Sequence, residues 1–279
     1  MGAGQACDIF SLMNAERRVL GSTLQGAAGL YREKNEPEDV QMDKVIKIAT
    51  GIFIIILVVV AGTGVYTFFT ERQYRESLTS TYSYSLTISA NEELRNVTLF
   101  VPLPANPAGY SPVEKRFSLR QVQGLPPAWE TSLLGSNKGT AVKIRTASLG
   151  SGTGATVVTL TLEEPAGQID TRAPETNSVL FWPVQDLKTA DCSGFADPKA
   201  GASCYRYLSA IYADYDSSPN ARVEISSTIT GKNEWTIFKP DFNEYTSSIS
   251  VLMLGENHGW VVAKGELQAG IGSYNVPKI

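Results

Sequence analysis

The sequence predicts a mainly β protein, in which an extracytoplasmic β-sandwich, jelly-roll-like in one arrangement, is attached to one N-terminal transmembrane helix. A partly helical cytoplasmic tail precedes that helix. Three observations predict this: one long uncharged apolar stretch, many short alternating stretches after it, and two cysteines close together on that later side. The expected organisation is a tail at 1–45, a transmembrane helix at 46–70, a stalk at 71–76 and the β domain at 77–279.

The apolar stretch occupies residues 48–69 and contains no charged residue. As a helix rising ~1.5 Å per residue it covers ~33 Å, enough to cross a hydrocarbon core of ~30 Å. Lys47 and Glu71 place charges just outside its ends, and Tyr66 suits the membrane interface. A buried core helix is the alternative, but such helices seldom run so far without a strongly polar position. A cleaved signal peptide fits less well, because more than 40 residues precede the stretch.

The charges that flank the stretch predict its orientation. Basic residues near the membrane favour the cytoplasmic side, and more of them precede the stretch than follow it. They are Arg32, Lys34, Lys44 and Lys47 before it and Arg72 and Arg75 after it. We therefore expect a single-pass protein of the plasma membrane, with the N-terminus in the cytoplasm and the C-terminal domain extracellular.

Cysteine placement agrees with this orientation. Cys192 and Cys204 lie twelve residues apart after the membrane segment, and in an oxidising space they would form one short-loop disulfide. Two reduced thiols are the alternative. Cys7 stands alone before the segment, where a thiol would stay reduced.

The charge composition of the chain limits the classes of molecule that it is expected to bind. The chain has 24 Lys and Arg against 28 Asp and Glu, for a net charge of −4, and it has no basic patch with interleaved aromatic residues. Nucleic acid is therefore excluded as an expected partner. The lipid bilayer is the partner that the sequence indicates directly.

The tail has a helical pattern of apolar residues over 9–31, with charged residues off that face. Gly21, Gly26 and Gly29 each cost about 1 kcal/mol against alanine, so such a helix would be marginal alone. We expect it to form on a partner or on the inner leaflet, and a mostly disordered tail is the alternative. Residues 33–39 form a charged spacer, and Pro37 within it would end any helix.

After a short polar stalk the periodicity changes from helical to alternating. Residues 82–89 alternate large apolar with small hydroxyl side chains, and 97–101 repeat the pattern before Pro102 and Pro104. The segment 204–214 alternates too, although a helical face is the alternative there. Further strands are expected at 115–122, 140–147, 155–162, 178–184, 221–229, 234–239, 246–254 and 259–266. Asn96 begins the only N-glycosylation sequon, and we expect it on the outer side of the membrane.

Catalytic machinery is scarce in the sequence. His258 is the only histidine, and no Gly-x-Ser-x-Gly nucleophile motif occurs. A conventional zinc ligand set is lacking once two cysteines are paired. We therefore expect neither an enzyme nor a cofactor.

A calcium site is the one metal site that the sequence suggests. Asp214, Asp216 and Ser218 have the alternating spacing that begins a calcium loop. Pro219 and Ile225 stand where such a loop needs Gly and Glu, so a solvated turn is the competing interpretation.

The four tryptophans are expected in the core or in cross-strand pairs, with a carbohydrate-stacking face as the alternative. They are Trp129, Trp182, Trp235 and Trp260.

Several segments of the outer domain together resemble uncharacterised single-pass surface proteins of methanogenic archaea. These segments are 84–89, 96–104, 213–216, 231–235, 243–245, 259–260 and 265–274. The resemblance covers most of the outer domain and little of the tail. It implies topology and habitat, with the domain lying between the membrane and an S-layer or other wall, and it carries no catalytic residues.

Three functional hypotheses follow. The first is a non-enzymatic, membrane-anchored surface protein whose β domain serves binding, adhesion or envelope organisation, with cell-wall or S-layer components as partners. The second is an accessory subunit of a membrane protein complex, docking through its tail. The third is a hydrolase that uses carboxylates alone, which would need a paired Asp/Glu cleft.

Overall fold

The computed structural model describes residues 38–136, 139–150, 156–172 and 179–274. The chain divides into two compact units after Ala61. Within the described residues, the first unit contains the N-terminal part of helix α1 (Glu38–Ser77), and the second contains the rest of α1 and every strand. The predicted tail helix over 9–31 and Cys7 lie outside the described residues.

Helix α1 is long and apolar enough to cross a membrane, as the sequence predicts. Its stretch Asp43–Ser77 contains a window of mean hydropathy 2.7, and none of that window is buried. Charged pairs one turn apart lie on either side of the apolar region: Lys47 with Asp43 before it, and Arg75 with Glu71 after it.

The rest of the described chain is mainly β, which confirms the predicted class. A short helix α2 (Glu114–Ser118) and a 3₁₀ turn (Cys192–Gly194) interrupt the strands. The strands are β1 Thr79–Ala90, β2 Leu94–Pro102, β3 Pro104–Ala105, β4 Glu130–Ser136, β5 Gly139–Leu149, β6 Thr156–Ala166, β7 Leu180–Phe181, β8 Gln185–Thr189, β9 Ser203–Asp216, β10 Arg222–Thr236, β11 Pro240–Leu254 and β12 Asn257–Gly272.

Ten strands form one antiparallel sheet in the order β4-β5-β2-β9-β12-β11-β10-β1-β6, and β8 pairs with β9. Strands β3 and β7 form a small second sheet. The large sheet is curled, as the contacts of α2 with strands near its two ends show. Glu114 accepts from Thr140 of β5, and Arg116, two residues further on, pairs with Glu164 of β6. The inward faces of the curled sheet therefore share one core.

The sheet opens between β11 and β12, which gives it a sandwich-like character. The two strands pair from Asn243 to Ser250. Beyond that point β11 continues beside β10 as far as Leu254, and β12 continues beside β9 as far as Asn257. The end of β11 and the start of β12 therefore pair with different strands, β10 and β9 respectively.

Three expected strands differ in the structure. Within the described part of 178–184, only Leu180–Phe181 form a strand. Residues 115–122 form α2 and a turn, with Phe117 and Val122 facing the core, because this segment crosses from one end of the sheet to the other. Residues 234–239 are not a separate strand: β10 continues through Gly231 to Thr236, and a hairpin turn follows. Strands β4 and β8 were not predicted, because few of their residues are apolar and buried.

The segment 71–76 is not the solvated spacer that its charges suggest. Tyr74 is 1% exposed and meets Trp235 edge to face, with ring centroids 5.5 Å apart. Ser77 Oγ donates to the Thr236 carbonyl (3.0 Å) and accepts from the Thr236 N–H (2.9 Å). The last turns of α1 therefore pack against the β domain through the buried Tyr74.

Cys192 and Cys204 form the disulfide that the sequence predicts, with Cα atoms 5.3 Å apart. Cys204 is buried in β9, whereas Cys192 lies in the 3₁₀ turn. The bond therefore fastens an exposed loop to a central strand.

Candidate functional site

Three aromatic side chains lie together on the outer face of the sheet, and we call them the aromatic platform: Phe100, Tyr212 and Trp260. The rings of Phe100 and Tyr212 stack with centroids 4.8 Å apart, and Trp260 meets Tyr212 edge to face at 5.5 Å. Trp260 is 65% exposed, although tryptophan usually loses most of its surface on folding. The platform is an aromatic surface that the folded domain leaves open to solvent.

Strand register builds the platform. Tyr212 of β9 is directly opposite Phe100 of β2 on one side and opposite Trp260 of β12 on the other. Residues directly opposite in an antiparallel pair point to the same face, so the three rings form a row across the strands. Lys143 of β5 extends the row, with its Nζ 5.5 Å from the centre of the Phe100 ring.

Side chains on one face of a strand recur every second residue, so the next row on this face lies two residues away along each strand. That row is polar. Thr98, Asp214 and His258 are directly opposite one another in this row. His258 Nδ1 lies 2.7 Å from Asp214 Oδ1, and its Nε2 lies 4.0 Å from Asp216 Oδ1. A row of hydrogen-bonding groups therefore borders the platform.

A bulge in β2 adds Asn96 to this polar border. The β2–β9 register shifts between Arg95 and Thr98, and Asn96 has a positive φ of 53°, which asparagine tolerates better than most residues. Its Nδ2 donates to Asp216 Oδ2 at 2.6 Å.

The hydrogen bond to Asp214 raises the pKa of His258 above its usual value of 6.5. The protonated imidazole is therefore held by the carboxylate, and the stabilisation that its charge adds is fully present below about pH 6.5. It is lost as the pH rises through the higher pKa of the folded protein. The polar border thus loses one positive charge only above that raised pKa.

Replacement of Asp214 by asparagine is expected to lower the pKa of His258 toward 6.5, because the charged partner of the imidazolium is removed. NMR titration of the histidine ring signals in the full chain measures this directly, since His258 is the only histidine. Asp216→Asn is the matched control and should lower the pKa less, because its carboxylate lies 4.0 Å from Nε2. An equal or larger effect of Asp216→Asn would contradict the assignment.

The tryptophans divide between buried and exposed positions. Trp129 and Trp235 are buried, and Trp182 is half-buried and donates to the Ala105 carbonyl at 2.9 Å. These three fit the expected core role, whereas Trp260 does not.

Asp214 and Asp216 both belong to strand β9 with the buried Tyr215 between them, so their alternating spacing is that of one strand face. Each carboxylate already faces a nitrogen, from His258 and Asn96 respectively. In the described part of the chain, no group of three or more His, Cys, Asp or Glu is placed to hold a metal ion. The geometry provides no support for the calcium prediction.

Asn96 is exposed, as a glycosylation acceptor must be. Its acceptor nitrogen is the atom that donates to Asp216, so a glycan there would stand at the edge of the polar border. Glycosylation of Asn96 stays a prediction.

The paired His258 and Asp214 resemble the base and orienting acid of a catalytic triad. Among the described residues, no hydroxyl or thiol is hydrogen-bonded to His258 Nε2, whose nearest ionic neighbour is Asp216. In this arrangement the imidazole and the carboxylate can donate and accept hydrogen bonds.

Comparisons with family models, with curated proteins and with solved structures found no match to this chain.

Proposed function

We propose that this is a membrane-anchored surface protein whose β domain binds a saccharide of the cell envelope through the aromatic platform, without catalysis. Helix α1 supports the anchor, because its apolar side chains are exposed over a length that crosses a bilayer. The disulfide supports an oxidising location for the domain.

The proposed topology follows from charge and from the disulfide together. The basic excess before the apolar stretch favours a cytoplasmic N-terminus at the plasma membrane. The C-terminal domain would then be extracellular, where Cys192 and Cys204 can be oxidised. Cell-wall or S-layer glycans are the ligands that such a domain meets first.

The exposure of Trp260 within an aromatic row is the observation on which the ligand class rests. Flat aromatic faces pack well against the C–H surfaces of sugar rings, and the amphipathic Tyr and Trp are frequent anchors of binding sites. The neighbouring row provides carboxylates, an imidazole and an amide, which are groups that can exchange hydrogen bonds with sugar hydroxyls. A ring placed on the platform would reach that row within one strand repeat of about 7 Å.

Replacement of Trp260 by alanine is expected to weaken saccharide binding at least about 30-fold, the loss typical of removing a central aromatic anchor. The full chain in detergent would be tested against isolated envelope polysaccharides, with affinity measured by calorimetry.

Leu254→Ala is the matched control for this test. Leu254 is an equally exposed apolar residue (73%), but it lies on β11, which does not contribute to the platform. This variant should bind as the parent does. Equal affinity of Trp260→Ala and Leu254→Ala, or no binding of any envelope polysaccharide by the parent, would contradict the proposal.

A further inference from the structure

A second aromatic cluster lies where the β10–β11 hairpin meets α1. Phe238, in the turn between β10 and β11, stacks on Tyr66 with ring centroids 6.3 Å apart and lies 6.5 Å from Phe69. Despite these contacts Phe238 is 68% exposed, and Lys239 beside it is also exposed. We call residues 236–240 the hairpin tip.

The hairpin tip runs back along the helix toward the apolar stretch. The hydrogen bonds between Ser77 and Thr236 fix its base at the last turn of α1. Phe69 precedes Ser77 by eight residues, or about 12 Å of helix, and Tyr66 lies one turn further. Phe238 therefore stands beside the end of the apolar stretch, at the level of its last aromatic residues.

We propose that the hairpin tip is a second membrane contact, with Phe238 inserted into the interfacial layer of the bilayer beside Tyr66 and Phe69. This inference rests on the proposed role of α1 as a membrane span. If Tyr66 and Phe69 lie at the membrane surface, a ring stacked on them lies at the same depth. An exposed phenylalanine next to a lysine is the composition expected at that depth, because the ring enters the lipid and the ammonium stays among the headgroups.

The lipid surface is favoured over a protein partner because the neighbours of Phe238 belong to the apolar stretch itself. Tyr66 and Phe69 are themselves largely exposed, so the patch is continuous with the face that α1 would present to lipid. The consequence is a domain held against the bilayer by two elements instead of one. Such a domain would present the aromatic platform in a restricted range of orientations.

The test uses the full chain in vesicles of phosphatidylcholine with a minor fraction of phosphatidylglycerol. A fluorophore is attached through Lys239→Cys in a Cys7→Ser background, with the Cys192–Cys204 disulfide intact. Lipids that carry a nitroxide near the top of the acyl chain quench only fluorophores at that depth. Leu254→Cys is the matched exposed control, since it lies at the other end of β11, about 45 Å along the strand.

The fluorophore at 239 is expected to be quenched several-fold more than the one at 254, and Phe238→Asp should remove that difference. A fluorophore introduced through Val59→Cys reports the membrane span separately. It is measured in vesicles whose lipids carry the nitroxide near the end of the acyl chain, because residue 59 lies in the middle of the apolar stretch. Strong quenching at 59, with equal quenching at 239 and 254, would overturn the second contact and leave the anchor standing. Absence of quenching at 59 would overturn the anchor, and the hairpin-tip proposal with it.

Discussion

Tyr74→Ala is expected to lower the free energy of unfolding of the β domain by about 3–5 kcal/mol, the usual cost of truncating a buried aromatic residue. The Tyr74 ring is 1% exposed and packs edge to face on Trp235, which is itself buried. Its removal would leave a cavity at the base of the sheet and uncover Trp235. The effect is large because the chain around Tyr74 is fixed on both sides, by α1 and by the bonds of Ser77 to Thr236.

Denaturant unfolding of the full chain in detergent, followed by tryptophan fluorescence, measures this loss. Tyr74→Phe keeps the ring and removes only the hydroxyl, which accepts from Gln168 at 3.2 Å, so its cost should be about 1 kcal/mol. Arg75→Ala is the neighbouring surface control and should change stability by less than about 0.5 kcal/mol. If Tyr74→Ala were as stable as Arg75→Ala, the segment 71–76 would be the spacer that its composition suggests.

Gly265→Val is expected to destabilise the same domain by about 3 kcal/mol, at the upper end of the usual cost of overpacking. Gly265 of β12 is directly opposite Tyr207 of β9, and a Cβ at Gly265 would lie 2.5 Å from the Tyr207 ring atoms Cε2 and Cζ. The ring has no room to withdraw, because it is 2% exposed and its hydroxyl is 2.8 Å from Ser247 Oγ. Because Gly265 has no side chain, the buried ring of Tyr207 can lie across strand β12 at this position.

The matched control is Gly135→Val in strand β4, where a Cβ would meet nothing within 4 Å. That change should leave the midpoint of denaturation nearly unaltered. Tyr207→Leu provides the second measurement: combined with Gly265→Val, it should cost clearly less than the sum of the two single changes, because the clash requires both side chains. Simple additivity would show that the loss has another origin.

The class of the fold could be predicted because alternation depends on local sequence. In β1 and β9 every second residue faces the core, and this pattern is visible in the chain alone. Tyr74 was missed because its neighbours are charged. The buried Thr70 lies one helical turn before Tyr74, and this spacing was the available signal for a helix face that packs on the domain.

The aromatic platform could be predicted only in part. The visible part is the phase of β12, since Trp260 shares a strand face with the polar His258 and Lys264. The neighbours of Trp260 could not be predicted. Phe100 and Tyr212 come beside it only through the pairing of strands far apart in sequence, and that register is set by the packing of the whole sheet.

The order of strands in the sheet has a consequence for synthesis of the protein. Strand β1, the first to leave the ribosome after α1, pairs Ala90 with Val223 and Thr79 with Glu234, so each of these pairs closes a loop of more than 130 residues. Contacts this distant form slowly, and the nascent chain must wait for β10 to arrive. Until then β1 exposes an open edge to other chains. Completion of the domain is therefore delayed until nearly the whole chain is made, and the yield of folded protein depends on how well the unfinished strand is shielded during that interval.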